Sequence, residues 1–254
     1  MRPRDPLKYH RNNAVASQSL LESAIAKQVR HFVFSSTAAV YGHLGLDPVS
    51  EDSVPRPATS YGCSKLMTER MLEDLARSYP FNCCALRYFN VAGADPLGRT
   101  GPSGASSTHL VKVAVETALG KRSEVTVHGS DFATPDGTGV RDYIHVSDLA
   151  RAHFLALNEL FASPNVSHVL NCGYGCGHSV LEVLDMVGHA AGRPIPRVFG
   201  PRQPGDLDRV VADNRRLKKR LPWRPRDDEL HAIVTDALRW EEYLRRCSTP
   251  DITG

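Results

Sequence analysis

No apolar run in this sequence approaches the ~18 residues that cross a bilayer. The first residues also show no secretory signal pattern. Neither membrane insertion nor secretion is expected. Charge of one sign is scarce too, with a formal net charge of only +3 over 254 residues. That is too little to argue for nucleic acid or a membrane surface as a partner. Internal repeats and low-complexity tracts are absent, which removes solenoids and fibrous arrays.

Cysteines number six but form neither a disulfide nor a metal pattern. Cys83 and Cys84 are adjacent in an apolar run, and Cys63 falls in a helical stretch. Cys172 and Cys176 flank a glycine-rich turn with a gap too wide for usual zinc spacing. Free thiols in a reducing, cytoplasmic compartment and no bound metal are the expectation. Also missing is a glycine-rich strand-to-helix turn of the dinucleotide-binding type. Met1–Arg4 leads straight into Asp5–Asn13 with no strand before it, so the chain is expected to begin inside its fold.

What is present is enough apolar residue, 41%, for a sizeable core. Strands are expected at 31–37, 82–89, 125–128, 141–146, 169–171, 197–199 and 209–212. Helices are expected at 14–27, 60–79, 109–119, 148–160, 180–191, 214–220 and 227–243, with a glycine-, proline- and serine-rich loop over 92–107. Strands alternating with helices predict an α/β fold, a doubly wound, mostly parallel sheet covered on both faces. The basic run Asn214–Arg220 reads as a solvated helix face.

The chemistry gathers around Ser60-Tyr61-Gly62-Cys63-Ser64-Lys65. Thr59 or Ser60 can cap a helix here, and Tyr61 and Lys65, four apart, share one face of it. A free phenol titrates near 10 and is a poor base at neutral pH. An adjacent lysine cation favours the phenolate, and such a pair can move a proton to or from a sugar hydroxyl. Upstream, Phe32–Phe34 runs into Ser35, Ser36 and Thr37. Downstream, Ala85–Tyr88 runs into Asn90. Polar groups at strand carboxyl ends lie where open α/β sheets bind ligands.

These motifs resemble the extended short-chain dehydrogenases/reductases. Tyr88-Phe89-Asn90 and Thr134-Pro135-Asp136-Gly137-Thr138-Gly139-Val140-Arg141-Asp142-Tyr143-Ile144-His145-Val146 are similar to the UDP-glucose 4-epimerase family within them. The resemblance runs from Asp5 to about Trp240 and implies a Rossmann-type sheet with a smaller interleaved substrate domain. It assigns 1–90, 139–170 and 205–214 to the remnant of an NAD-binding domain, and 91–138, 171–204 and 215–254 to a UDP-sugar-binding domain. NAD is the implied cofactor, held at its nicotinamide end by Asn12, Tyr61, Lys65 and Tyr88. Thr37, Tyr61 and Lys65 are the implied catalytic groups, with Lys65 lowering the Tyr61 pKa.

For substrate, UDP-glucose or UDP-galactose, the resemblance implies Asn90, His109, Leu110, Thr126, His128, Arg141, Gln203, Asp206 and Val210. Gln203 stands where the family carries a second diphosphate arginine. Asn12 is equally suited to capping a helix, Arg141 to pairing with Asp142, and Asp206 to a turn. The implied reaction is inversion at C4 by an NAD-dependent isomerase of galactose metabolism, in a family of homodimers. UDP-pentose or UDP-N-acetylhexosamine 4-epimerisation and a non-catalytic UDP-sugar-binding remnant remain as alternatives. A 4,6-dehydratase is disfavoured, because Thr37 is followed by Ala38-Ala39 and not by an acid pair.

Overall fold

Strand and helix alternate along the chain in the computed structural model, which describes residues 5, 7–42, 48–104, 107–203 and 205–248. Met1–Arg4, the stretch 43–47 of the expected loop after the first strand, residues 105–106 and Pro204 lie outside the described residues. The chain opens with α1 (Leu7–Tyr9), a π-helical turn (His10–Val15) and α2 (Ala16–Ala26), then β1 (His31–Thr37). Next come α3 (Ser60–Ser78), β2 (Asn82–Tyr88), β3 (Asn90–Ala92), α4 (Leu110–Ala118), β4 (Val125–His128) and β5 (Val140–His145). They are followed by α5 (Val146–Ala162), β6 (His168–Cys172), β7 (Gly177–Ser179) and α6 (Val180–Ala190). The chain continues through β8 (Arg197–Gly200), β9 (Arg209–Val210), α7 (Arg215–Arg220) and α8 (Leu230–Ser248).

The residues form two compact units. The first comprises Met1–Phe89, Ala150–Gly175 and Ala212–Arg224. Its sheet is parallel in the order β1-β2-β6, with Thr37 beside Tyr88 and Tyr88 beside Cys172. Phe32, Phe34, Cys83 and Ala85 alternate along β1 and β2 and pack against Leu21 and Ile25 of α2 and Met71, Leu72 and Leu75 of α3. That period-two alternation makes one sheet face a helix-binding surface. Asn82 on β2 donates to the Leu160 carbonyl of α5 at 3.0 Å. Trp223 is buried and stacks on Tyr174, with ring centroids 6.1 Å apart.

The second unit comprises Asn90–Leu149, Cys176–Val211 and Pro225–Gly254. β5 is its central strand, parallel to β3 and β9 and antiparallel to β7, while β4 and β8 form a separate parallel pair. Helices α4, α6 and α8 pack on one another through Val115, Val187, Ile233 and Val234, all buried. Ser179 and Glu182 start α6 with a reciprocal capping box, each bonding the other's backbone N–H.

Two expectations change. Residues 90, 139–149 and 205–211 belong with the second unit, because β3, β5, β7 and β9 pair among themselves and not with the β1-β2-β6 sheet. Residues 171–175 and 215–224 belong with the first, where β6 extends to Cys172 and Trp223 packs on Tyr174.

Candidate active site

The first unit builds its site where β1 ends and α3 begins. Thr59 caps α3, its hydroxyl accepting from Gly62 N at 3.1 Å. Glycine is required two residues into this helix: a Cβ on Gly62 would lie 2.4 Å from the Ala39 carbonyl oxygen. This close seat brings Tyr61 near Thr37, which is buried at the end of β1. The Thr37 hydroxyl also accepts from Ala39 N at 3.2 Å, which fixes its rotamer. The Tyr9 ring meets Tyr61 edge-on, 5.7 Å between centroids.

Lys65 lies one turn along α3. Its ammonium donates to the Ser35 carbonyl at 3.0 Å and sits 5.0 Å from the centre of the Phe34 ring. Burial lowers its pKa. Burial also pushes the Tyr61 phenol above its ordinary value; Thr37 works against that rise and Tyr9 adds to it. The Lys65 ammonium is thus seated on the Ser35 carbonyl, and burial is the largest influence on the Tyr61 phenol.

One further turn along α3, Glu69 fastens the helix from beneath. It takes Arg87 in a two-pronged ion pair, with contacts of 2.6, 3.0 and 3.2 Å, and accepts from the Ser36 hydroxyl. Both charged side chains are almost wholly buried.

Tyr88, at the end of β2, is half-buried, and its phenol lies near Ser35 and Tyr61. Burial raises its phenol pKa, the nearby Tyr61 raises it further, and Ser35 opposes both. Asn12 is exposed in the π-helical turn, whereas its neighbour Asn13 turns inward and donates to the Ser64 hydroxyl at 3.0 Å. Asn12 is thus no helix cap, and its amide is open to solvent.

The substrate residues expected from the sequence all fall in the second unit. Arg141 on β5 pairs in register with Val210 on β9. Its guanidinium donates to the Val140 carbonyl at 2.8 Å; burial lowers its pKa, while Tyr143, Asp206 and Asp208 pull it back up. Arg202, near enough to repel Arg141, donates to the Asp206 carbonyl at 2.9 Å and to Asp208 at 2.7 Å, and lies 4.0 Å over the Phe132 ring.

Gln203 is exposed, and its carbonyl accepts from Asp206 N at 3.1 Å. Thr126 and His128 occupy the outward positions of β4, flanking the close approach of Gly200. Half-buried Asn90 begins β3 beside Tyr143. Exposed His109 and half-buried Leu110 begin α4.

The donor set of the first unit fits the nicotinamide half of a dinucleotide. An ammonium with three N–H donors and two phenols meet at strand carboxyl ends, where ribose hydroxyls and a carboxamide can be bound. Fold and site together define a Rossmann-like protein with a tyrosine–lysine pair.

The chain belongs to the NAD dependent epimerase/dehydratase family, whose model matches residues 2–173. A UDP-glucose 4-epimerase of Azospirillum brasilense is 47% identical over 241 residues, covering 95% of this chain and 69% of that protein. The crystal structure of UDP-glucose-4-epimerase from Stenotrophomonas maltophila with bound NAD and formylated UDP-arabinopyranose superposes with a TM-score of 0.91 at 37% identity, over 96% of this chain and 72% of that one. The UDP-Glc/GlcNAc 4-epimerase of Campylobacter jejuni superposes with a TM-score of 0.80 at 41% identity, over 94% of this chain and 73% of that one.

Proposed function

We propose that this chain carries the chemistry of UDP-glucose 4-epimerase, interconverting UDP-galactose and UDP-glucose with NAD. The observation that carries the reading is Tyr61 placed near Thr37 at the end of β1, with Lys65 one turn away on α3. Thr37 and Tyr61 hold the sugar 4-hydroxyl, and Tyr61, once in its phenolate form, accepts the proton as C4 is oxidised. NAD, when bound, would supply the hydride chemistry at C4, so that the sugar passes through a 4-keto form. Tyr61 then gives back the proton, so no second substrate is consumed. Lys65, Tyr88 and Asn12 are the residues that would hold the nicotinamide ribose and carboxamide.

In the second unit, Arg141 clamps the diphosphate with Arg202 beside it. Arg202 supplies the charge that Gln203 lacks, and Asp206 accepts from the uridine ribose. Asn90, His109, Leu110, Thr126 and His128 line the nucleotide, and Val210 walls the sugar. Six free cysteines support a reducing, cytoplasmic setting. Exposed Val15, Leu20 and Met67, on the π-helical turn, α2 and α3, support a homodimer.

The test is a proton NMR assay of UDP-galactose with NAD supplied, beside calorimetry with UDP. UDP-glucose formed by the wild type and not by Tyr61→Phe supports the reading. A chain that neither binds UDP nor turns over is not this enzyme.

A further inference from the structure

The carbonyl of Pro102, in the second unit, is held by two side chains. Trp240 Nε1 on α8 donates to it at 3.1 Å, and Lys112 Nζ on α4 donates to it at 3.4 Å. Beside it, the Gly101 backbone lies against the Trp240 indole, where an added Cβ would fall 2.6 Å from the ring. Further along, the Ser107 carbonyl accepts from the Arg122 guanidinium at 3.4 Å, and the Ser107 hydroxyl accepts from His109 N at 3.3 Å. The segment that runs into His109 and Leu110 is thus fastened at Pro102 and again at Ser107.

Both fastenings belong to one row of charges, alternating in sign from Lys121 through Glu241, Lys112 and Glu116 to Arg122. Lys121 meets Glu241 at 2.6 Å, and Lys112 bonds the same carboxylate. Lys112 lies 3.5 Å from Glu116, which Arg122 meets at 2.5 Å. Lys112, Glu116 and Glu241 are almost wholly buried. Ions buried this deeply add little net stability over apolar side chains of similar size. Buried Val115, Val187, Ile233 and Val234 already join α4, α6 and α8. What an apolar side chain cannot supply is an N–H for a loop carbonyl. Lys112 and Arg122 each carry more donors than their carboxylates use, and the surplus reaches the loop.

We propose that Trp240, Lys112 and Arg122 are positioning residues for the nucleotide: they fix segment 101–109 so that His109 and Leu110 stand in place for a uridine diphosphate. This rests on the reading of His109 and Leu110 as nucleotide contacts given above. Coupling between a ligand and a conformation is reciprocal. A hold that raises UDP affinity by some factor is itself tightened by UDP by the same factor.

The experiment reads both directions. The chain has two tryptophans, so its 15N NMR spectrum carries two indole N–H signals, and Trp223→Phe leaves that of Trp240. Solvent exchange of this proton reports how often its bond to Pro102 opens. Saturating UDP should slow it about threefold or more, and Lys112→Met should speed it by a similar factor. The Trp223 indole, in the first unit, is the control for stabilisation of the chain as a whole.

Trp240→Phe keeps an aromatic ring against Gly101 and loses the N–H. Calorimetry should find UDP bound about three- to tenfold more weakly, the scale of one ordinary hydrogen bond. Should Lys112→Met not fold, Arg122→Gln, at the partly exposed end of the row, gives the same measurement. Wild-type UDP affinity in Trp240→Phe overturns the proposal. So does a Trp240 exchange rate that UDP leaves unchanged, or one that it slows no more than that of Trp223. A wild-type chain that binds no UDP overturns the functional reading and this role together, whereas normal UDP binding in every variant keeps that reading and removes only the positioning role.

Discussion

Lys65 donates to the Ser35 carbonyl at 3.0 Å, and burial is the largest influence on the Tyr61 phenol. In the unliganded chain, Lys65→Met should therefore leave the Tyr61 titration within about 0.3 pKa unit of wild type. Tyrosine NMR or absorbance of the phenolate checks this. A fall in the Tyr61 midpoint that depends on Lys65 would restore the direct charge coupling expected from the spacing alone.

Tyr61→Phe should cut turnover about a hundredfold or more, the scale of a lost general acid–base. UDP affinity should stay within about twofold, because the nucleotide groups lie in the other unit. Turnover kept within a few-fold would remove Tyr61 from proton transfer.

Val210 is half-buried on β9, in register with Arg141. If Val210 walls the sugar as proposed, its small side chain would leave room for a 2-acetamido group, so UDP-N-acetylglucosamine should be accepted as well as UDP-glucose. Val210→Tyr should lose the acetamido sugar selectively, by about a hundredfold in kcat/KM. Equal loss of both substrates would take Val210 out of the sugar pocket.

Arg87 and Glu69 form a buried pair beneath the catalytic helix. Arg87→Leu leaves an uncompensated carboxylate and should cost about 3–5 kcal/mol. The double change Arg87→Leu with Glu69→Leu should cost clearly less, because both charges go together. Denaturant unfolding of the three chains measures the difference, and equal costs would show that the pair is not coupled.

Tyr41 is buried, its hydroxyl donates to Asn171 Oδ1 at 2.6 Å, and burial raises its pKa to about 12. A phenol whose folded pKa exceeds its unfolded value near 10 contributes stability that is complete below about pH 10 and is lost as pH rises toward 12. Tyr41→Phe should thus cost about 1–2 kcal/mol at neutral pH, since the Asn171 oxygen loses its donor. The gap to wild type should narrow above pH 10. A gap that is constant with pH would place the cost in packing alone.

Short-range pattern was legible in the sequence. The α3 helix, a cap at Thr59 or Ser60 and strands at 82–89 and 125–128 followed from apolar periodicity and capping chemistry, and the structure puts the cap on Thr59. Strand partners were not legible. Arg141–His145 reads as a strand wherever it pairs, and only the three-dimensional neighbours β3, β7 and β9 place it in the second unit. The three-residue strands β3 and β7 are too short for a periodic signal. The Lys65 partner was missed because spacing on a helix shows which residues share a face and not which carbonyl lies opposite. His153 read as one more position on the buried face of α5, and no local signal tied it to Ser35, 118 residues away.

Gly62 makes the spacing between Thr37 and Tyr61 a matter of backbone lying on backbone. Side-chain rotamers sample more widely as a protein is warmed, but this seat can open only if α3 leaves the end of β1. Heating should therefore not blur the site by degrees. Its geometry should hold until the first unit melts and then vanish in one step, so the temperature at which turnover stops should coincide with the calorimetric Tm of that unit. In Gly62→Ala, whose methyl has no room beside Ala39, the two temperatures should separate.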